Sequence, residues 1–159
     1  YGLAQRLGSP VEEATEILES YFAAFPAIRD YMDRTVAEAR QKGYTETLFG
    51  RRRRIPELSS SNYNVRLAAE RQAMNAGIQG LAADVFKVAL VRIDRWLRDA
   101  GCASTLVLQV HDEVILDVPP EELSEVEEMV RTVMTGAYEL RVELAVEVAV
   151  GATWADAKG

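Results

Sequence analysis

The sequence predicts an α+β protein in which an antiparallel sheet packs with several helices. Residues 142 to 150 alternate between apolar side chains and glutamate or alanine, which is the pattern of a strand with one buried face. Apolar runs at residues 103 to 110 and 114 to 118 flank a link too short for anything but a tight turn, which predicts a hairpin of buried strands. Helical spacing elsewhere supplies the second layer, so we expect at least three antiparallel strands backed by helices.

Two helices are predicted between residue 9 and residue 43. Residues 9 to 12 (SPVE) have the form of a capping box with proline at the first helical position. Pro26 ends this helix and begins the next, which ends near Gly43. The apolar face of the first helix comprises Ala14, Ile17, Leu18, Tyr21, Phe22 and Phe25. Aromatic residues at inward spacings are interpreted as core, namely Tyr21, Phe22, Phe25, Trp96 and Trp154.

Three further helical segments are predicted. An alanine-rich helix is expected over residues 62 to 78, after which Gly77 and Gly80 loosen the chain before another long helix that Gly101 closes. The inward positions of that long helix are Val85, Ala89, Ile93 and Trp96. After the hairpin, a helical period is formed by Leu123, Val126, Val130, Val133 and Ala137.

The totals describe a chain of about one domain with enough apolar content for a core. It has 159 residues, of which 48% are hydrophobic. The single cysteine, Cys102, excludes an internal disulfide and suits a reducing compartment. No apolar stretch approaches the roughly 20 residues of a membrane span, and no signal peptide is visible. The chain starts at Tyr1 in what has the pattern of a helix interior, so we expect a fragment of a longer protein.

The charge is divided along the chain. The formal net charge is −7, which by itself argues against nucleic acid. From Arg40 to Arg71, however, there are eight basic and three acidic residues. From His111 to Gly159 there are twelve acidic and three basic residues. A chain divided in this way can bind an anion with one part while the other part keeps it soluble.

Asp112 and Glu113 form a candidate metal site at the tip of the predicted hairpin. Carboxylates are hard oxygen ligands that suit Mg²⁺. Neighbouring strand residues point to opposite faces, so both can face one ion only if a turn reorients them, and Asp112 is the better direct ligand. The alternative is that both are turn formers in water, because two carboxylates make an incomplete site. His111, the only histidine, is either an ordinary hydrogen-bonding residue, a donor to a base or sugar, or a general base.

Arg71, Asn75 and Gln79 form a second candidate site. They stand four residues apart, so they make one polar stripe along a helix. All three carry donors, and donors suit the minor-groove acceptors, which occupy similar places in either orientation of a base pair. Contacts of this kind would test pair shape without reading sequence. The alternative is a solvated helix face.

Four successive arginines, Arg51, Arg52, Arg53 and Arg54, form the third candidate site. Residues 44 to 48 are predicted to be a short strand, and residues 50 to 56 a turn that carries the arginines. Guanidinium groups bind phosphate bidentately, so the run could hold a nucleic-acid backbone in a salt-sensitive way. The alternative is a solvated charge run, or a set of ion pairs with the acidic tail.

Four segments of the chain resemble the C-terminal part of family A DNA polymerases, the bacterial DNA polymerase I group. They are GYTETLFGRRRRIPEL (43 to 58), AAERQAMNAGIQGLAADVFK (68 to 87), LVLQVHDEVIL (106 to 116) and VEVAVGATWADAK (146 to 158). The likeness covers essentially the whole chain. The VHDE sequence is similar to the third polymerase motif of the family, and the order and spacing of the segments also fit.

The resemblance implies a part of the right-hand polymerase fold. Residues 1 to 43 would belong to the fingers side, and residues 44 to 159 to the palm with the VHDE hairpin. Asp112 would be the second catalytic, metal-binding aspartate and Glu113 its acidic neighbour. His111, Arg71, Asn75 and Gln79 would follow the minor groove of the primer-template, while residues 51 to 54 would contact the backbone.

The resemblance also implies an activity and its partners. The parent enzyme would use two Mg²⁺ ions and deoxynucleoside triphosphates to extend a primer on template DNA, in the bacterial cytoplasm with the nucleoid and away from membranes. The family's first aspartate motif, nucleotide-binding helix and thumb are absent here, and Tyr1 is not assigned a nucleotide role. As isolated, the chain is expected to be inactive. One alternative is a structural module with weak DNA affinity; another is a stand-alone metal hydrolase built on His111 and Asp112.

Overall fold

The structure, a computed structural model, describes residues 2–158 as a mixture of helices and small antiparallel sheets, which confirms the predicted α+β class. The chain divides into two compact units, Tyr1–Gly80 and Leu81–Gly159. Tyr1 lies outside the described residues. The expected division into a fingers-side segment of residues 1 to 43 and a palm segment of residues 44 to 159 concerns polymerase subdomains, and it stays a prediction.

The first unit begins with three helices, α1 (Gly2–Leu7), α2 (Val11–Ala24) and α3 (Pro26–Lys42). Pro26 stands in the first turn of α3, and Gly43 ends that helix with a φ of 77°, as predicted. The predicted capping box does not form. Pro10 occupies the N-cap of α2 without a side-chain cap bond, and the hydroxyl of Ser9 is buried without a hydrogen-bond partner.

The apolar face predicted for α2 is mostly exposed. Ala14 is buried, but Tyr21 and Phe25 are 45% and 53% exposed. Trp154 is likewise 44% exposed, so its assignment to the core, like that of Tyr21 and Phe25, was wrong. Helical periodicity identifies which side chains share a face, and it does not supply an element that covers them.

A small hairpin follows α3. Strands β1 (Tyr44–Glu46) and β2 (Arg52–Arg54) pair antiparallel, so three of the four arginines lie in a strand and not in the predicted turn. Gly50 ends the loop between the strands. Its φ of 79° and the hydrogen bond from its amide to the carbonyl of Thr47 are typical of a three-residue hairpin loop. We call β1, β2 and their loop the arginine hairpin.

The helix α4 (Tyr63–Asp99) is continuous over 37 residues, so the predicted break at Gly77 and Gly80 was wrong. A Cβ atom on Gly80 would lie 2.6 Å from Cγ2 of Thr47, and one on Gly77 would lie 3.0 Å from the Tyr31 hydroxyl. These glycines therefore allow close packing against α4 and do not interrupt it. No helix within residues 2–158 is at once long and apolar enough to cross a membrane.

The core of the first unit lies where α3 and α4 meet the chain that follows β2. Ile55 and Leu58, the latter in a 3₁₀ helix at Pro56–Ser59, are buried. They form one cluster with Ala39 of α3 and with Ala69 and Ala73 of α4. Three of the five members are alanines, so the backbones can approach closely, and the arginine hairpin is held directly beside this cluster.

The second unit contains the predicted hairpin. Strands β3 (Thr105–Val110) and β4 (Glu113–Asp117) pair antiparallel, and α5 (Leu123–Thr135) follows them. Gly101 closes α4 as predicted, with a φ of 68°. We call β3, β4 and their turn the acid hairpin.

One face of the acid hairpin is covered and the other is not. The core of the unit comprises Ile93, Leu97, Val126, Met129 and Val130, and Leu106, Val114 and Leu116 of the strands pack against it. Val107 and Leu108 are 56% and 46% exposed, so the prediction of fully buried strands was wrong for them. A sheet of two strands leaves a face open unless another layer covers it.

The strand predicted over residues 142 to 150 is not formed, although its alternation is visible. Leu144, Val146 and Val148 are half-buried, and the residues between them are exposed. A strand also needs a hydrogen-bonding partner, and no ladder to this segment occurs within residues 2–158. The carbonyl of Val146 instead accepts a bond of 3.1 Å from Arg131. The described chain ends in the short helix α6 (Trp154–Lys158).

Candidate metal and nucleic-acid sites

The turn of the acid hairpin consists of His111 and Asp112, because Val110 pairs directly with Glu113. His111 has a φ of 54°, which makes it the one non-glycine residue with a positive φ in the described chain. A two-residue hairpin loop requires a positive φ at its first central position. In a residue with a side chain this costs on the order of 1 kcal/mol. The side-chain amide of Gln109 donates to the carbonyl of His111 over 2.6 Å and supports the turn.

The two carboxylates beside this turn differ in their surroundings. Asp112 is exposed, and its side chain makes no hydrogen bond or ion pair with residues 2–158. Glu113 begins β4 and is half-buried. Its Oε1 lies 3.0 Å from Nζ of Lys158, while its Oε2 is buried without a hydrogen-bond partner. The turn thus presents one free carboxylate and holds the other in an ion pair.

Asp112 fits a divalent cation better than Glu113 does. Its carboxylate is an unpaired oxygen donor at the surface, and oxygen donors suit Mg²⁺. The Oε2 of Glu113 is an oxygen donor of the same type, but it is buried and would have to turn outward to meet an ion. Within the described part of the chain, no group of three or more His, Cys, Asp and Glu side chains is arranged to hold a metal ion. These two residues could therefore supply only part of a coordination shell.

The base of the acid hairpin is fixed by Glu122, which precedes α5. Its carboxylate accepts from the amides of Ala103 and Ser104 over 2.8 and 2.9 Å and from the Ser104 hydroxyl over 2.5 Å. The hydroxyl bond is the main cause that lowers the pKa of Glu122 below its usual 4.5. The chain entering β3 is thereby tied to the start of α5.

In the first unit, α4 carries the predicted polar stripe. Arg71, Asn75 and Gln79 are exposed, and their side chains make no hydrogen bond or ion pair with other residues of the described chain. All three lie on one continuous helix, as the predicted stripe requires. The donors of the stripe are therefore available to an external acceptor.

The four arginines are not equivalent, although all are exposed. Arg51 donates to the carbonyl of Gly80 over 2.7 Å. Arg52 pairs with Glu46 over 2.5 Å and lies over the ring of Tyr44, 4.7 Å from its centroid. In the carboxamide orientation that satisfies both groups, Arg53 donates to the side-chain oxygen of Gln72.

Arg54 is the remaining member of the run. Its guanidinium makes no hydrogen bond or ion pair within residues 2–158. The alternatives considered for the arginines therefore apply to different members of the run. Residues 51 to 53 are bound inside the protein, and Arg54 is a solvated charge that is open to an anion. None of these internal partners belongs to the acidic tail.

Lys158, Gln109 and Glu122 contribute to the acid hairpin, and none of the three was predicted from the sequence. Lys158 lies within the closing WADAK sequence, but nothing in its spacing links it to Glu113. Gln109 is the one polar residue within the apolar run at residues 106 to 110 of β3, which is a weak sign that its side chain forms a hydrogen bond. Contacts between residues far apart in sequence set the roles of Lys158 and Glu122, so no local pattern could have shown them.

A family profile described as DNA polymerase family A matches residues 1–156. The chain therefore belongs to DNA polymerase family A, which confirms the resemblance found in the four sequence segments.

Its relatives are bacterial enzymes named DNA polymerase I. That of Mycobacterium tuberculosis (strain H37Rv) is 51% identical over 154 residues, which cover 97% of this chain and 17% of the relative. That of Geobacillus stearothermophilus is 50% identical over 158 residues, 99% of this chain and 18% of the relative. A solved structure, the POL domain of Pol1 from M. smegmatis in complex with DNA primer-template and dNTP, is similar with a TM-score of 0.97 and 50% identity, over 100% of this chain and 28% of that one. The chain thus spans under a fifth of these curated relatives.

Proposed function

We propose that this chain is a segment of a DNA-directed DNA polymerase that adds deoxynucleotides to a primer 3′ end under template direction. Membership in family A supports this, as does the similar solved structure, which is described as a complex with DNA primer-template and dNTP. The observation that carries the proposal is the carboxylate of Asp112, which stands exposed on a strained two-residue turn and has no partner within residues 2–158.

In this proposal Asp112 is a metal ligand, and Glu113 is its acidic neighbour in the catalytic site. Bound Mg²⁺, two ions in the complete site, would ease attack by the primer 3′-oxygen and offset the charge on the departing pyrophosphate. Asp112 would hold negative charge at a fixed place before the triphosphate arrives, so little reorganisation is needed during the reaction. Further carboxylate ligands would come from other parts of the enzyme.

The DNA contacts are assigned by donor chemistry. Arg71, Asn75 and Gln79 would donate to minor-groove acceptors of the primer-template, together with His111. Residues 51 to 54 would lie along the phosphate backbone. Arg54 would contribute most of that attraction, because the other three guanidinium groups already have acceptors inside the protein.

The proposal is tested by primer extension with Asp112→Ala in the complete polymerase that carries this segment. We expect extension to fall by at least about a hundredfold, because a ligand of the reacting metal is removed, while most of the affinity for primer-template remains. The affinity is measured separately by fluorescence anisotropy. Extension within tenfold of the parent enzyme would contradict the role of Asp112.

A second candidate function is a non-catalytic module with weak DNA affinity. The observation that favours it is that residues 2–158 hold no cluster of three metal ligands. Primer extension by the purified 159-residue chain with Mg²⁺ distinguishes the two functions. We expect no incorporation by the chain alone, and incorporation by it would show a complete site.

The remaining expectations follow from the same assignment. The parent enzyme would act in the bacterial cytoplasm, with the nucleoid, in DNA replication and repair. Deoxynucleoside triphosphates would bind through a segment outside this chain. Residues 1 to 43 would form a fingers-side segment and residues 44 to 159 a palm segment. Crosslinking of the complete enzyme to a primer 3′ end that carries a photoreactive base would test the palm assignment near Asp112.

A further inference from the structure

The ion pair between Lys158 and Glu113 joins the last described turn of the chain to the acid hairpin. The ammonium group lies 3.0 Å from Oε1 of Glu113. It also lies 4.8 Å from the ring centroid of Trp154, one turn earlier in α6. A carboxylate on one side and an aromatic face on the other limit the positions that this flexible side chain can adopt.

Local contacts order the segment that carries Lys158. Thr153 and Asp156 bond to each other at the start of α6: the Thr153 hydroxyl donates to Oδ2 over 2.6 Å and accepts from the Asp156 amide over 3.2 Å. The same turn folds closely over Gly151, where an added Cβ would lie 2.6 Å from the amide nitrogen of Ala157. Lys158 is therefore placed by a capped, closely packed turn and not by a free terminal strand.

The ion pair between Lys158 and Glu113 affects which of the two neighbouring carboxylates is available to a cation. One oxygen of Glu113 is engaged by the lysine, and the other is buried. For Glu113 to bind a cation directly, the pair must break or the side chain must turn out of the protein. Asp112 has no such restraint within the described residues.

We infer that Lys158 is a positioning residue that keeps Glu113 out of direct metal coordination, so that Asp112 is the single direct ligand from this hairpin. The inference rests on the proposed function, because it assumes that Asp112 binds the metal. It explains how two adjacent carboxylates can serve one site with different roles. Removal of Lys158 would release Glu113 as an additional ligand.

The test is a double-mutant cycle on the complete polymerase, with the affinity for Mn²⁺ measured by electron paramagnetic resonance. We expect Glu113→Gln to weaken Mn²⁺ binding less than about threefold when Lys158 is present, and about tenfold or more in the Lys158→Met background. The cycle cancels the uniform effect of changing one charge near a cation. Lys158→Arg serves as the matched control, because it keeps the ion pair and should behave as the parent.

The outcomes separate the inference from the proposed function. An equal cost of Glu113→Gln in both backgrounds overturns the role of Lys158, provided that Asp112→Ala still removes Mn²⁺ binding. An Asp112→Ala variant with the affinity of the parent overturns the metal role on which both rest. Lys158 is 54% exposed in its side chain, so its substitution should leave folding intact, and thermal melting of each variant checks this.

Discussion

Within residues 2–158 the arginine hairpin leaves Arg54 free and the turn of the acid hairpin leaves Asp112 free, but the charges beside them are held in different ways. In the arginine hairpin, partners within the hairpin itself or on α4 engage Arg51, Arg52 and Arg53. In the acid hairpin, Glu113 is engaged from the far end of the chain by Lys158. A run of like charges in the sequence therefore need not be a run of equivalent groups in the fold.

The hairpins also differ in how they are anchored. The arginine hairpin lies against α4 at Gly80, whose carbonyl accepts from Arg51 and whose lack of a Cβ lets Thr47 approach closely. The acid hairpin is tied at its base by the carboxylate of Glu122. The first anchor depends on close packing and the second on ionisation, so the two should respond differently to substitution and to pH.

The largest effect on stability is expected from Gly80→Ala, which tests the packing anchor. Alanine is the better helix former by about 1 kcal/mol, so an effect on α4 alone would stabilise the chain. The added Cβ would meet Thr47 at 2.6 Å, and we expect a net destabilisation of about 1–3 kcal/mol in urea unfolding of the 159-residue chain.

Gly77→Ala is the matched control for this substitution. Its Cβ would meet only the hydroxyl end of Tyr31, at 3.0 Å, and that side chain can move. A smaller destabilisation is expected there. Increased stability in Gly80→Ala would show that the hairpin does not depend on close approach to α4.

Arg54→Ala tests the claim that the free arginine binds DNA backbone. Without this charge-assisted bond to a phosphate, primer-template binding should weaken by about tenfold, and the slope of log affinity against log salt should fall by about 0.9. Arg52→Ala removes an arginine that already pairs with Glu46, so its effect on the slope should be smaller. Anisotropy titrations of the complete polymerase at several salt concentrations measure both, and equal slopes for the two variants would contradict the distinction.

Glu122→Gln tests the ionic anchor through its pH dependence. The Ser104 hydroxyl and the amides of residues 103 and 104 lower the pKa of Glu122 in the folded chain. Its contribution to stability is therefore full above the unfolded value near 4.5 and is lost as the pH falls through the lower folded value.

We expect Glu122→Gln to be less stable than the parent at neutral pH and to approach it in strong acid. Urea unfolding between about pH 2 and pH 7, which spans both protonation states of the carboxyl, measures the difference. Glu121→Gln is the control, because Glu121 is exposed and does not join these bonds. A difference between Glu122→Gln and the parent that stays constant with pH would exclude the ionic anchor.

Much of the fold was predictable because its signals are local. Pro26 separates α2 from α3, Gly43 and Gly101 end their helices with positive φ, and the apolar runs on either side of the HDE sequence mark the acid hairpin. Contacts between distant segments set the rest. The glycine at position 80 lies inside α4 where Thr47 packs against the helix, and no local helix rule contains that contact.

The residue types of the candidate site were predictable from the sequence, but the contacts that these residues make with distant parts of the chain were not. The sequence placed Asp112 and Glu113 at a turn, and it could not tell that Lys158 engages only one of them. Residues 144 to 148 keep the predicted alternation of exposure without forming a strand, whereas Val142 and Val150 are exposed. The side-chain pattern determines which face is buried, but a strand also needs a hydrogen-bonding partner.

The central claim is that the two neighbouring carboxylates have different roles, and a Mn²⁺ titration of the complete polymerase tests it most directly. Asp112→Asn and Glu113→Gln each remove one negative charge with little change in shape. We predict that Asp112→Asn weakens Mn²⁺ binding by about a hundredfold or more, and Glu113→Gln by less than about threefold. Equal losses of affinity, or the greater loss at Glu113, would contradict the account.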